Sequence, residues 1–235
     1  MLPLVISIGP PRRGCCAQLT TLSAGCHRIG HYGRVTPELP DLGLHEVIVS
    51  LPDIELDDLV GACEVLCQEG FKLWSLPIGR LDDLPGLLRL FGRRARAGVH
   101  DVFEPGQVVA AAAAGAAFAA SPYLLPALVL AAPELPVILG GMTPSELHAG
   151  LAAGAAAVQL LPTEAFGTAY ARILPQLVAP GTLIATGRLE RYQAELWLEA
   201  GAIAVWPSGL VSSSLASGES LDGLRVQVQQ WRLND

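Results

Sequence analysis

Residues 135–167, LPVILGGMTPSELHAGLAAGAAAVQLLPTEAFG, contain one complete strand–helix–strand unit. The apolar start of this segment, LPVIL, predicts a short buried strand. Thr143 is the predicted N-cap of a helix, because Pro144 suits the first helical position and Glu146 completes a capping box. The helix is predicted to end at Gly154. A second apolar strand, AAAVQLL, follows and leads into a Pro-Thr-Glu loop.

The same unit repeats along the chain, where short apolar strands alternate with amphipathic helices. This alternation is typical of a parallel sheet that is buried on both faces. Eight units in about 190 residues predict an α/β protein with a closed (β/α)8 TIM barrel. A doubly wound open sheet is the alternative, but no G-x-G-x-x-G fingerprint follows the first strand. The predicted strands are 46–51, 71–78, 95–100, 116–121, 135–139, 155–161, 182–187 and 202–208, and the predicted helices are 53–70, 81–91, 104–115, 123–132, 143–154, 166–178, 190–200 and 219–231.

Composition excludes several classes of function. The 235 residues are 51% hydrophobic and 16% charged, which is outside the range of disordered chains. The most apolar stretch, 110–132, is interrupted by Gly, Ser and Pro, so no transmembrane helix is predicted and no membrane partner is expected. The net charge is −7, and the only short basic cluster is Arg93, Arg94 and Arg96. We therefore expect no binding to nucleic acid.

Residues 1–42 differ from the rest of the chain and are predicted to form a poorly ordered N-terminal extension, followed by the barrel over 43–235. The extension contains the residues that could in principle gather a metal, which are Cys15, Cys16, Cys26, His27 and His31. Their spacing matches no standard zinc pattern, so we expect neither a metal nor another cofactor. The odd number of cysteines and the absence of a C-x-x-C pair indicate a reduced, cytoplasmic setting.

Chemistry in a (β/α)8 barrel occurs at the C-terminal ends of the strands. His100 has the best pKa there for acid–base work, although a lone histidine at a strand end is more often structural. The loops after strands 7 and 8 have the position and the small residues of a phosphate site built from backbone N–H groups. Ser121, Asp101 and Glu164 each have an ordinary structural alternative, as a cap, a turn residue and a solvated side chain. The full ring of candidates is Ser75, Pro77, Gly79, Arg80, His100, Asp101, Ser121, Gly140, Gly141, Gln159, Thr163, Glu164, Thr186, Gly187, Arg188, Ser208 and Gly209.

Several segments resemble the KDPG/KHG aldolases, in the order and spacing of that family. The resemblance runs from about residue 45 to 215, and its most specific parts are FAASP, PVILGGMTPSEL and LLPTE. The family cleaves 2-keto-3-deoxy-6-phosphogluconate or 4-hydroxy-2-oxoglutarate to pyruvate and an aldehyde. The resemblance implies a (β/α)8 barrel, a homotrimer and a class I mechanism that passes through a Schiff base.

The catalytic positions of the family carry different residues in this chain. The resemblance places the Schiff-base lysine at Gln159 and the general acid/base glutamate at Ser75, while the Pro and Glu of the strand 6 loop match Pro162 and Glu164. An amide nitrogen is not a nucleophile, because its lone pair is delocalised into the carbonyl group. Gln159 can therefore only donate and accept hydrogen bonds.

The binding positions are kept in part. The carboxylate-binding arginine falls on Gly79, with Arg80 one residue further on, and the threonine of the G-A-G-T motif falls on Asp101. Ser121, Thr186, Gly187 and Ser208 stay as candidate ligand or phosphate contacts, although Arg188 replaces the second glycine of the strand 7 loop.

A substitute nucleophile is not expected from elsewhere in the barrel. The sequence has a single lysine, Lys72, at the start of strand 2. Strand residues alternate faces, so Lys72 points outward if Ser75 points inward, and it lies at the wrong end of the strand.

These residues leave three hypotheses. The favoured one is a family member without class I aldolase activity, which retains a pocket for a small keto acid or phosphorylated ligand or serves as an assembly subunit. The alternative is an active aldehyde-lyase that releases pyruvate with the help of a divalent metal bound by His100, Asp101 and Glu164. The third is a barrel that binds nothing. The sequence thus leaves open whether the chain is an enzyme.

Overall fold

The computed structural model of the chain describes residues 28–29, 35–41, 46–217 and 220–233. It confirms the predicted barrel: eight parallel strands, β1 to β8, each precede a helix, α1 to α8. The strands are Ile48–Ser50, Leu73–Pro77, Arg96–His100, Ala119–Ser121, Val137–Gly141, Ala157–Leu160, Leu183–Gly187 and Ala204–Pro207. The helices are Leu56–Gln68, Leu84–Phe91, Pro105–Ala113, Ala127–Ala131, Pro144–Ala152, Thr168–Leu177, Arg191–Ala200 and Leu221–Gln229.

Each strand pairs in parallel with the next one in sequence, and the first and last strands nearly close the barrel. The closing contact is a parallel bridge between Val47 and Val205. The Val205 N–H donates to the carbonyl oxygen of Glu46 at 2.9 Å. All eight strand C-termini therefore meet at one end of the barrel, where the predicted polar ring lies.

Two apolar layers hold this arrangement together. The larger lies between the strands and the helices, as expected when both faces of a parallel sheet are covered. The smaller fills the barrel and consists of Ile48, Leu73, Phe118, Ala120, Ile138, Ala157, Ile184, Ala204 and Trp206. Gly98 makes room for this filling, because a Cβ there would lie 2.4 Å from the ring of Phe118.

The capping box predicted at the start of α5 is present. Thr143 Oγ1 accepts from the N–H of Glu146 at 3.3 Å, and Glu146 Oε2 accepts from the N–H groups of Met142 and Thr143, both at 2.9 Å. These backbone hydrogen bonds lower the pKa of the Glu146 carboxyl. Helix α4 is shorter than the predicted 123–132. Pro126 precedes its first residue, and the ring of a proline disfavours helical backbone at the residue before it.

Part of the predicted N-terminal extension is described. Arg28–Ile29 pairs with Val35–Thr36 in a short antiparallel ladder that is separate from the barrel sheet. The candidate metal ligands Cys15, Cys16, Cys26, His27 and His31 lie outside the described residues, as does the predicted boundary after residue 42, so the division into extension and barrel stays a prediction. Among the described residues, no helix has the length and apolar character needed to cross a bilayer.

Candidate functional site

A cavity of about 300 Å³ opens at the C-terminal ends of the strands, where the sequence places the site. Its size is at the lower end of the range for small-molecule pockets. The cavity brings together four of the nine residues predicted for catalysis or binding, which are Asp101, Gln159, Thr186 and Ser208. The lining residues are Ser50, His100, Asp101, Pro122, Gln159, Leu161, Thr186, Trp206, Ser208 and Gly209.

Gln159 points into the barrel and reaches this cavity. It is buried, and its Nε2 donates to the carbonyl oxygen of Ser121 at 2.8 Å. Its register partner on the intervening strand is Gly140, where an ideal Cβ would lie 2.1 Å from the carbonyl oxygen of Pro122. The loop after β4 thus packs directly against the backbone of Gly140. Gln159 ties that loop to β6, and its Oε1 is left to accept a hydrogen bond.

Ser75 and His100 form a hydrogen-bonded pair at the cavity floor. Ser75 is fully buried, and its Oγ lies 2.9 Å from Nδ1 of His100. The direction of this hydrogen bond depends on the tautomer of the imidazole, and the pair holds the His100 ring in place whichever atom carries the proton.

The Nε2 side of His100 faces a carboxylate. Asp101 Oδ2 lies 3.9 Å from Nε2, and Asp101 has a φ of 59°, a left-handed conformation that aspartate tolerates better than most residues. Burial lowers the pKa of His100, and the nearby Asp101 opposes this in part. Burial thus favours the neutral form of the imidazole.

Trp206 closes the bottom of the cavity and was not among the predicted site residues. Its indole N–H donates to Ser50 Oγ at 2.7 Å, and its ring meets those of His100 and Phe118 edge-on. It lies on β8, two residues before Ser208, which directly follows the strand, and both residues line the cavity. The two-residue spacing from Ser208 was the sequence signal that could have indicated Trp206 as a site residue.

The loop after β7, predicted to bind phosphate, is occupied by a side chain of the protein itself. Glu164 Oε2 accepts from the backbone N–H of Arg188 at 3.0 Å. The N–H of Ser208 donates to the carbonyl oxygen of Gly187 at 2.9 Å. Thr186 Oγ1 is buried without a hydrogen-bond partner in the described part of the chain.

The comparisons with known proteins agree with this barrel. The family described as KDPG and KHG aldolase matches residues 94–225, more than half of the chain. The chain belongs to this family. A 2-dehydro-3-deoxy-6-phosphogalactonate aldolase of Escherichia coli K12 is 25% identical over 182 residues, covering 75% of this chain and 87% of the relative.

Solved structures of KDPG/KHG aldolases share the fold. A native KDPGal structure superposes with a TM-score of 0.70 at 24% identity, covering 79% of this chain and 91% of the other. A KDPG aldolase from Legionella pneumophila, with pyruvate captured as a covalent carbinolamine intermediate, has a TM-score of 0.67 at 24% identity, covering 80% and 95%. At this identity the two structures show the fold alone.

Two of the residues predicted from the KDPG/KHG resemblance lie away from the cavity. Arg80 forms ion pairs with Asp53, Glu55 and Asp83, at 3.8, 3.0 and 2.7 Å, and does not line the cavity. The charge and hydrogen bond of Glu55 raise the pKa of the Arg80 guanidinium. Glu164 lines a second cavity of about 310 Å³ between the loop after β6 and helices α6 and α7.

The remaining predicted positions have structural partners of their own. Ser121 is fully buried, accepts from the N–H of Tyr123 at 3.3 Å and meets Gln159 through its backbone. Lys72 is exposed and lines a cavity with Arg93, Arg94 and Arg96 at the opposite end of the barrel. Its outward position agrees with the prediction from strand alternation.

The structure does not favour the metal-assisted alternative. Glu164 lines one cavity, whereas His100 and Asp101 line another. Within the described ranges, no three His, Cys, Asp or Glu side chains come close enough to hold a metal ion.

Proposed function

We propose that this KDPG/KHG aldolase family member has lost class I aldolase activity and holds a small molecule in the barrel mouth by hydrogen bonds alone. The observation that carries the proposal concerns Gln159, where the resemblance places the family's lysine: it reaches the cavity, and its Nε2 donates to the Ser121 carbonyl oxygen. A class I aldolase needs an unprotonated amine, which attacks the ketone and then serves as the electron sink of the iminium. The amide of Gln159 supplies neither function.

Proton transfer is altered as well. The resemblance places the family's general acid/base carboxylate at Ser75, which is buried and hydrogen-bonded to His100. General acid/base catalysis contributes roughly 10²- to 10⁴-fold to a rate, so its loss alone would suppress turnover. A homotrimeric assembly and a cytoplasmic location are further parts of this proposal, and both rest on the family resemblance and the composition. A small keto acid or phosphorylated molecule is the ligand that the resemblance implies.

Pyruvate release from 2-dehydro-3-deoxy-6-phosphogalactonate, coupled to lactate dehydrogenase, tests the loss of activity. We expect the rate with the wild-type chain to equal that of buffer, with and without EDTA. The E. coli relative serves as the positive control. The single variant Gln159→Lys is expected to stay at least about 100-fold below that control, because it regains the amine without the carboxylate base.

Two outcomes of this assay would refute the proposal. EDTA-insensitive release by the wild type would show a surviving metal-free mechanism, and EDTA-sensitive release would support the metal-assisted alternative. Efficient turnover by Gln159→Lys would show that the placement of the base position at Ser75 is wrong.

A further inference from the structure

The charges around the barrel mouth differ from those that an anionic keto acid requires. No arginine or lysine is among the ten lining residues, and the carboxylate of Asp101 is their one acidic group. His100 is neutral, since burial lowers its pKa. A carboxylate or phosphate in this cavity would meet a like charge and no cation, which disfavours binding.

The groups that sequence analysis assigned to anion binding are already engaged. Arg80 is held by three carboxylates outside the cavity. The N–H of Arg188 donates to Glu164, and that of Ser208 donates to the Gly187 carbonyl. An incoming phosphate would have to displace the Glu164 carboxylate from the N–H of Arg188. It would also have to displace the Gly187 carbonyl oxygen from the N–H of Ser208.

The groups that remain available in the cavity are neutral donors and acceptors. They are the ring Nε2 of His100, the amide Oε1 of Gln159, and the hydroxyls of Ser50, Thr186 and Ser208. Thr186 Oγ1 is buried and unpartnered in the described chain, and such an atom costs free energy until a ligand or water bonds to it. Trp206, Pro122 and Leu161 add apolar surface between these polar groups.

We infer that the barrel mouth selects a small uncharged, hydroxyl-bearing molecule of the sugar or polyol class and rejects carboxylates and phosphates. The inference rests on the proposed function in one respect, that ligands are held there without a covalent bond. A hydroxyl both donates and accepts, so it matches a lining that offers both roles without formal charge. A volume of about 300 Å³ limits the ligand to a single small unit.

A set of ligands with one six-carbon skeleton tests the inference: galactitol, galactonate and 6-phosphogalactonate. The readout is the indole N–H resonance of Trp206 in a ¹⁵N-labelled sample, assigned with Trp206→Phe. We expect galactitol to shift this resonance saturably, with a dissociation constant of about 1–10 mM. Galactonate and its phosphate are expected to leave it unchanged over the same range.

Two variants test whether galactitol binds in the barrel mouth. Thr186→Val keeps the side-chain shape and removes the hydroxyl, and it should weaken galactitol binding about tenfold. Thr168→Val, at the start of α6 and outside this cavity, is the matched control and should bind like the wild type. Equal loss in both variants would contradict the assignment of the ligand to the barrel mouth.

The inference is overturned if galactonate or its phosphate shifts the Trp206 resonance as strongly as galactitol does. It is also overturned if galactitol gives no shift at about 100 mM, well above the expected dissociation constant. Neither outcome bears on the lost aldolase activity, which is read from pyruvate release, so the failure of one proposal is distinguishable from the failure of the other.

Discussion

Gly140→Ala is expected to destabilise the barrel by about 3 kcal/mol, because the added methyl has no free space. An ideal Cβ at residue 140 would lie 2.1 Å from the carbonyl oxygen of Pro122 and 2.4 Å from its carbonyl carbon. These are backbone atoms, which no rotamer change can move away. The loop after β4 would have to shift and lose two hydrogen bonds, from Gly140 N–H to the Tyr123 carbonyl and from Gln159 to the Ser121 carbonyl.

Urea unfolding followed by circular dichroism measures this change in the free energy of unfolding. Gly79→Ala is the matched control, since no atom lies within 4 Å of an ideal Cβ at that position. The control should stay within about 0.5 kcal/mol of the wild type. Equal stability of the two variants would mean that the loop after β4 does not pack on Gly140.

Glu69→Ala is the second change with a large expected effect, about 2 kcal/mol of lost stability. Glu69 directly follows the last residue of α1 and is buried, and its carboxylate is bound by three residues of the C-terminal segment. Its oxygens lie 2.7 Å from Arg225 and 2.5 Å from Arg232, and Gln229 donates to it at 3.3 Å. Both arginines are partly exposed, so water screens part of the loss after truncation.

The control for Glu69 is Glu64→Ala. Glu64 also makes a bidentate ion pair, with Arg94 at 2.8 and 2.9 Å, but its side chain is 42% exposed, against 4% for that of Glu69. Its removal should change the unfolding midpoint far less than the removal of Glu69 does. An equal effect of the two changes would show that burial adds nothing to the Glu69 contact.

The Glu69 contact also predicts a pH dependence. Burial raises the pKa of this carboxyl, but the hydrogen bonds from Gln229 and Arg225 and the charge of Arg232 outweigh burial and lower it below its ordinary value of 4.5. The unfolded chain then binds the proton more readily than the folded one does. The stabilisation is therefore complete above pH 4.5 and is lost as the pH falls below that value.

Local rules predicted the fold of this chain well. Thr143 and Glu146 are three residues apart in sequence, so their capping box could be predicted without a structure, and it is present. The outward direction of Lys72 followed from the two-residue period of strands. These predictions succeeded because each depends on the geometry of one element.

The partners of side chains across the barrel could not be predicted in the same way. Nothing local indicates that His100 meets Ser75 across 25 positions, or that Trp206 meets Ser50 across 156. Arg80 was expected at the ligand, but two acids of the loop after β1 and a third within its own turn bind it instead. Such contacts depend on how loops from different strands converge, and one sequence does not contain that information.

The ligand class is the point at which the resemblance and the geometry differ. The resemblance implies an anionic keto acid or phosphate, and that expectation stays a prediction. The cavity lining supplies a carboxylate and neutral hydrogen-bonding groups. Chemistry carried by single side chains can change in a barrel while the packing beneath it is kept.

Reduction with borohydride in the presence of pyruvate, read by intact mass spectrometry, tests the central claim most directly. A Schiff base would be reduced to a stable secondary amine and would add the mass of the trapped keto acid to the chain. The E. coli relative, treated in parallel, serves as the positive control. We predict no added mass on this chain, because Gln159 offers no amine and Lys72 lies outside the barrel at its other end. A stable adduct, on Lys72 or any other residue, would contradict the account.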